Sequence, residues 1–215
     1  MQSGIEIGRF ITFEGGEGSG KSTQAGILAN RLARAGRGVF STREPGGSPA
    51  AEEIREALLS GQVFKYGPLA EAVMFSVARA DHVDNAIRDA LQQGRWVVCD
   101  RFIDSTRAYQ GATAGVPRGI INALERLTVG ALSPDVTFIL DIPAEEGLGR
   151  AKVRADGAEL DRFEGQELVL HERVRRAFLE IAEEEPGRCI VVDASQPEAM
   201  VAEDVWEAIL QRLNP

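Results

Sequence analysis

Long apolar runs, cysteines and an excess of basic side chains are all scarce in this chain, and each scarcity removes a class of protein. No stretch approaches the roughly 20 apolar residues that a membrane-spanning helix needs, so no membrane association is expected. The first nine residues are polar and carry no apolar core of the kind that marks a secretory signal. Only 2 cysteines occur, Cys99 and Cys189, each in or beside an apolar run, which excludes a disulfide framework and offers no metal-ligand spacing. A reducing, cytoplasmic setting fits these features. The formal net charge is −9 and no basic stripe is present, which argues against nucleic acid as a partner. Lysine stands only at Lys21, Lys65 and Lys152, so arginine carries nearly all the positive charge. Arginine suits bidentate clamps on phosphate.

What is present organises itself around Gly15-Gly16-Glu17-Gly18-Ser19-Gly20-Lys21-Ser22-Thr23, which fits the phosphate-binding pattern G-x-x-x-x-G-K-[ST]. Phe10-Ile11-Thr12-Phe13 ahead of it reads as a buried strand. Behind it, Ala25, Leu28, Leu32 and Ala35 recur at helical spacing. Glycines let backbone N–H groups converge on one point, and the helix N-terminus adds partial positive charge. Lys21 is then the residue to follow the β- and γ-phosphates, and the Ser22 hydroxyl the one to bind Mg²⁺. The stretch from Gly15 to Thr23 is therefore expected to bind ATP or a similar nucleoside triphosphate.

At this length and 44% hydrophobic content, residues 1–215 are expected to form one domain. Strand-like segments at 9–14, 38–42, 95–100, 136–141 and 188–193 alternate with helical patterns at 22–35, 49–60, 68–93, 117–131, 143–155, 165–185 and 196–213. That alternation predicts an α/β fold with a parallel sheet covered on both faces. Ser48-Pro49 reads as an N-cap followed by proline at the first helical position, and Pro143 plays the same part after Asp141. Residues 155–165 are polar and aperiodic, suited to a surface loop or a lid over the phosphates.

The loop names a phosphoryl donor and leaves the acceptor open. Neither the D-x-x-G nor the N-K-x-D of switch GTPases occurs. Instead, chemistry-bearing residues gather at predicted strand ends, where open α/β sheets place ligands. Arg43 follows the second strand and is held by Glu44-Pro45-Gly46-Gly47. Asp100 and Arg101 end the third, as a structural ion pair or as a carboxylate that holds Mg²⁺ water beside a phosphoryl clamp. Phe75 and Arg79 lie at i and i+4 on one helix face; Phe75 serves either as core or as a base-stacking platform.

Taken together, these segments resemble the thymidylate kinases. The resemblance rests on Phe13-Glu14-Gly15, the phosphate loop, Arg43-Glu44-Pro45-Gly46-Gly47, Met74-Phe75 with Arg79, Asp100-Arg101-Phe102 running on to Ser105 and Ala108-Tyr109-Gln110, and Leu160-Asp161-Arg162-Phe163-Glu164. It spans essentially the whole chain. It implies a P-loop nucleoside monophosphate kinase fold with a five-stranded parallel sheet ordered 2-3-1-4-5, a lid near 150–164, and a homodimer. It implies transfer of a phosphoryl group from MgATP to dTMP. By the same resemblance, Arg43 and Arg101 hold the acceptor phosphate, Phe75 stacks on thymine and Arg79 bonds its carbonyl. Glu17 reaches the sugar, Tyr109 disfavours a 2′-hydroxyl, and Ser105, Thr106 and Gln110 line the base pocket. The phosphate loop carries no arginine of its own, so charge for the transferring group is expected from the lid, with Arg150 or Arg154 supplying it. Two departures stand out: Phe102 occupies a position where tyrosine or histidine is frequent, and Asp156, Glu159 and Asp161 put acid among the lid arginines. A kinase for another nucleotide or a deoxynucleoside would share the phosphate loop and differ in the Phe75, Arg79 and Tyr109 pocket. A nucleotide switch would lack the second basic cluster.

Overall fold

The computed structural model describes residues 8–155 and 168–215, apart from the side chains of 154 and 155. Five parallel strands form one sheet in the order β2-β3-β1-β4-β5. The elements run β1 Phe10–Gly15, α1 Lys21–Arg34, β2 Val39–Arg43, α2 Pro49–Leu59, α3 Pro68–His82, a wide helical turn Val83–Ile87, α4 Arg88–Gln92 and β3 Trp96–Asp100. The chain continues through α5 Ile103–Thr106, a second wide turn Arg107–Thr113, α6 Arg118–Thr128, β4 Val136–Asp141, α7 Ala144–Ala155, α8 Leu168–Glu184, β5 Cys189–Asp193 and α9 Glu198–Leu213. Every expected strand is present within a residue or two of its predicted bounds.

Strand alternation decides which helices cover which face. Ile11 and Phe13 of β1 point to the side where Leu28, Leu32, Val205 and Ile209 of α1 and α9 pack with Val98, Phe138 and Leu140. Phe10 points the other way, to Val97, Cys99, Phe102, Val83 and Ile87. Ile139 packs there too, against Val174, Ala177 and Phe178 of α8. The inner strands β1 and β4 are buried along almost their whole length, as a parallel sheet covered on both faces requires. Thr12 and Thr137 share the same face as Glu14 and bond to each other at 2.8 Å, so the buried polar atoms are paired. Both cysteines are buried free thiols.

Some boundaries differ from expectation for identifiable reasons. Pro49 does open α2, but the Ser48 hydroxyl donates to Asp81 at 2.5 Å instead of capping the helix. Pro143 lies one position outside α7, where its carbonyl accepts the Gly147 N–H at 3.0 Å. The helical segment from Ile103 to Thr113 carries no sequence pattern of its own. It is held by long-range contacts: Arg188 reaches both Asp104 carboxylate oxygens at 2.8 Å, and Ala108 packs against Val174 and Phe178 of α8.

This topology aligns the carboxyl ends of three strands. In register, Phe13 pairs with Asp100 and Asp100 with Arg43, so the phosphate loop, the Asp100-Arg101 corner and Arg43 emerge along one edge.

Candidate active site

The loop after β1 is shaped by its glycines. Gly18 has φ +68, and a Cβ there would stand 1.9 Å from the Gly147 carbonyl oxygen, so the loop tip presses on the first turn of α7. Helix α1 begins at Lys21, with its first N–H groups lacking intrahelical acceptors and facing the cleft. The Lys21 ammonium is turned back onto its own loop, donating to Gly16 O at 2.6 Å and to Ser19 Oγ at 3.3 Å. Burial, and then the Arg101 guanidinium, lower its pKa to about 8. A phosphate arriving in the loop would meet a lysine already positioned, its bonds to Gly16 and Ser19 made to neutral loop oxygens.

Next to it, the Ser22 hydroxyl donates to Asp100 Oδ2 in a short bond. The other oxygen, Asp100 Oδ1, is buried and has no partner among the described residues. A hydroxyl and an under-used carboxylate oxygen side by side are a donor set that suits a hard cation sharing its remaining positions with phosphate and water.

The cleft as a whole, from the phosphate loop past that corner, encloses about 400 Å³; on its far side Phe75, Thr106, Tyr109, Gln110 and Leu59 form the walls and Arg43, Arg55 and Arg101 contribute charge. Three arginines on this side each rest on a glutamate. Arg101 pairs with Glu17 of the phosphate loop, donates to Ser105 Oγ at 3.3 Å, and lies 5.4 Å from the Tyr109 ring centre. Tyr109 O–H reaches Glu17 at 3.5 Å, and burial pushes that phenol well above its ordinary range. Arg79 is buried and donates to Glu44 at 2.7 Å, Phe102 O at 3.0 Å and Thr106 Oγ1 at 3.1 Å. Arg43 is half exposed and pairs with Glu52 at 3.0 Å, whose other oxygen takes the Gly47 N–H at 2.9 Å.

A loop for a donor's phosphates thus opens directly onto a second, arginine-lined compartment with an aromatic wall. A sequence model described as thymidylate kinase matches residues 13–205. The chain belongs to the thymidylate kinase family. The thymidylate kinase of Bradyrhizobium diazoefficiens is 53% identical over 97% of this chain and 91% of its own length. That of Nitrobacter hamburgensis is also 53% identical, over 98% and 91%. A crystal structure of thymidylate kinase from Ehrlichia chaffeensis superposes with a TM-score of 0.75 at 34% identity, covering 94% of this chain and 99% of that one.

Within this thymidylate kinase fold, most of the residues singled out from sequence converge. Glu17, Gly18, Gly20, Lys21, Ser22, Thr23, Arg43, Phe75, Asp100, Arg101, Ser105, Thr106, Tyr109 and Gln110 all line one cleft. Gly15, Gly16 and Ser19 form the back of the loop. Arg79 lies behind the wall, its Nε and Nη2 spent on Glu44, Phe102 and Thr106. Phe102 is fully buried, edge-on to Phe10 at 4.9 Å with Arg79 over its other side, so the absent hydroxyl leaves no gap. Arg150 does not line the cleft: it bonds Glu146 at 2.6 Å and the carbonyls of Ala194 at 2.8 Å and Ser195 at 3.2 Å. The side chain of Arg154, the acids Asp156, Glu159 and Asp161, and Arg162 lie outside the described residues. Sequence reasoning missed Glu44, which bridges Arg79 and His82, and Arg55, which enters the cleft from α2 and bonds Pro45 O at 2.7 Å. A lone glutamate in a turn and a lone arginine on a helix carry no periodic or spacing signal. Glu14 was not singled out by itself either: it is buried, and burial followed by the nearby Asp104 carboxylate raises its pKa to about 7.

Proposed function

We propose that this cleft transfers the γ-phosphoryl group of ATP to dTMP, giving dTDP and ADP on the route to dTTP, within one P-loop kinase domain. The observation that carries this reading is the continuity of the phosphate loop, through the Ser22–Asp100 corner, with a compartment holding Arg43, Arg101 and Phe75. In it, the loop N–H groups and Lys21 bind the donor phosphates. Ser22 and Asp100 would hold Mg²⁺, which would supply charge neutralisation for the phosphates. Arg101 and Arg43 take the acceptor phosphate and aim it at the donor. Phe75 stacks on the base, with Thr106 and Gln110 lining its pocket and Arg79 behind Thr106. Tyr109, pinned between Arg101 and Glu17, fills the space a ribose 2′-hydroxyl would need. No covalent intermediate is required, since positioning and charge neutralisation supply the rate. The acceptor is already an anion at neutral pH, so no general base is required either.

For the charge supplied from the lid near 150–164, the three bonds that hold Arg150 to Glu146, Ala194 and Ser195 favour Arg154. A homodimer is supported by an outward stripe on α3, where Leu69, Val73 and Val77 are exposed at helical spacing beside Phe64 and Tyr66. A cytoplasmic setting, where free nucleotides are phosphorylated, belongs to the same reading; no described helix is long and apolar enough to cross a membrane.

The test is ADP release from MgATP with dTMP, dUMP, dCMP, dGMP, AMP and thymidine offered separately. Turnover with dTMP well ahead of the rest is expected. Faster turnover with another acceptor would overturn the pocket assignment, and no acceptor-dependent turnover from folded, ATP-binding protein would overturn the reaction.

A further inference from the structure

Glu14 has no place in the reaction as described so far, and it does not line the cleft. It is fully buried near the end of β1, where an ionised carboxylate is costly to keep. Both of its oxygens are nevertheless committed to a single short stretch of chain. Oε1 accepts the Phe102 N–H at 2.7 Å and the Ser105 N–H at 3.2 Å, while Oε2 accepts the Ser105 hydroxyl at 2.6 Å. The preceding residue adds a fourth tie, the Arg101 N–H donating to Phe13 O at 2.9 Å.

Those ties surround a backbone conformation that would not hold by itself. Arg101 has φ +69, one of two non-glycine residues with positive φ among the described residues, and the other is Asn214 at the end of α9. A β-carbon disfavours that region, and such residues persist where their surroundings over-determine them. Here the surroundings include Phe13 and Glu14, besides the Cys99 thiol donating to Arg101 O at 3.1 Å and Arg79 donating to Phe102 O at 3.0 Å. The Ser105 hydroxyl also links the two groups directly, giving its proton to Glu14 and accepting from Arg101 Nη1 at 3.3 Å.

We propose that Glu14 is a positioning residue for the acceptor phosphate: it fixes the 101–105 turn so that the Arg101 guanidinium stands in the cleft at the height of the phosphate loop. β1 thus serves both substrates, its end feeding the donor loop while its last inward-facing side chain sets the acceptor clamp. The inference rests on the reading that Arg101 holds the acceptor phosphate.

The test is initial-rate kinetics of Glu14→Gln, with Arg101→Ala in parallel, varying dTMP and ATP independently. Glu14→Gln keeps the shape but turns one acceptor oxygen into a donor facing Ser105. Its KM for dTMP is expected to rise about tenfold, the worth of one charge-assisted hydrogen bond, while its KM for ATP stays within about twofold. Arg101→Ala should raise the dTMP KM at least as far. A Glu14→Gln enzyme with unchanged dTMP KM, beside an Arg101→Ala enzyme in which it rises, overturns the role of Glu14 alone. An equal rise in both KM values also overturns it, since that is what general loosening of the fold produces. If Arg101→Ala leaves the dTMP KM unchanged, the acceptor reading of Arg101 falls and this inference with it. Should Glu14→Gln not fold, Ser105→Ala cuts the same link, and an unchanged dTMP KM there contradicts the proposal. Where both fold, the double variant should raise the dTMP KM no further than the larger single effect, and additive effects count against the shared link.

Discussion

On the proposed reading, the donor and acceptor sides of the cleft are built by opposite means. The donor side is nine consecutive residues whose chemistry is mostly backbone N–H groups, with one lysine and one hydroxyl added. The acceptor side is assembled from side chains on β2, α3, the β3 end and the 103–113 segment, and it is held by carboxylates. Arg43 rests on Glu52, Arg79 on Glu44 and Arg101 on Glu17. A backbone site needs no partner to stay in place. A cluster of arginines does, because without paired carboxylates their mutual repulsion would splay them in the empty enzyme. The overall excess of acid in this chain is thus compatible with a locally cationic cleft.

Removing the one side chain on which the donor side depends should have the largest effect. Lys21→Ala is expected to lower kcat by about 10²–10³-fold, the usual loss when a preorganised donor to developing charge is deleted. In the unaltered enzyme the same group gives the pH dependence its sign. Lys21 is protonated below about 8 and loses its charge above, so kcat/KM for ATP should fall as pH rises past about 8. A profile flat to pH 9.5 would show that Lys21 keeps its proton in the free enzyme.

On the acceptor side the glutamates should rank by burial. Glu44→Gln strands the guanidinium of Arg79, which is 4% exposed, and should destabilise the fold by about 3–5 kcal/mol in urea unfolding. Glu52→Gln breaks a pair whose partners are 50% and 42% exposed, and should cost about 0–1 kcal/mol. Equal costs for the two would erase the distinction between a buried scaffold pair and a surface one.

The same contrast explains what could be read from the chain directly. The phosphate loop is contiguous, so its spacing alone carries its function, and the strand order followed from resemblance to a whole family rather than from any single element. The proposed acceptor residues were legible only as fragments, Arg43 after one strand and Asp100-Arg101 after another, until the parallel register brought them to one edge. The segment carrying Ser105 and Tyr109 was illegible as helix because its partners, Glu14, Arg188 and the α8 residues Val174 and Phe178, lie far away in sequence. Likewise Arg150 and Arg154 look equivalent in sequence, and only the carbonyls of Ala194 and Ser195 show that Arg150 is engaged elsewhere.

The most direct measurement of the whole account is calorimetric titration of ATP and dTMP, each alone, into Lys21→Ala and Arg101→Ala. Two adjoining half-sites predict a crossed result, with Lys21→Ala losing affinity for ATP and keeping dTMP, and Arg101→Ala doing the reverse. Parallel losses of both ligands in both variants would contradict a cleft divided between a backbone-built donor side and a carboxylate-held acceptor side.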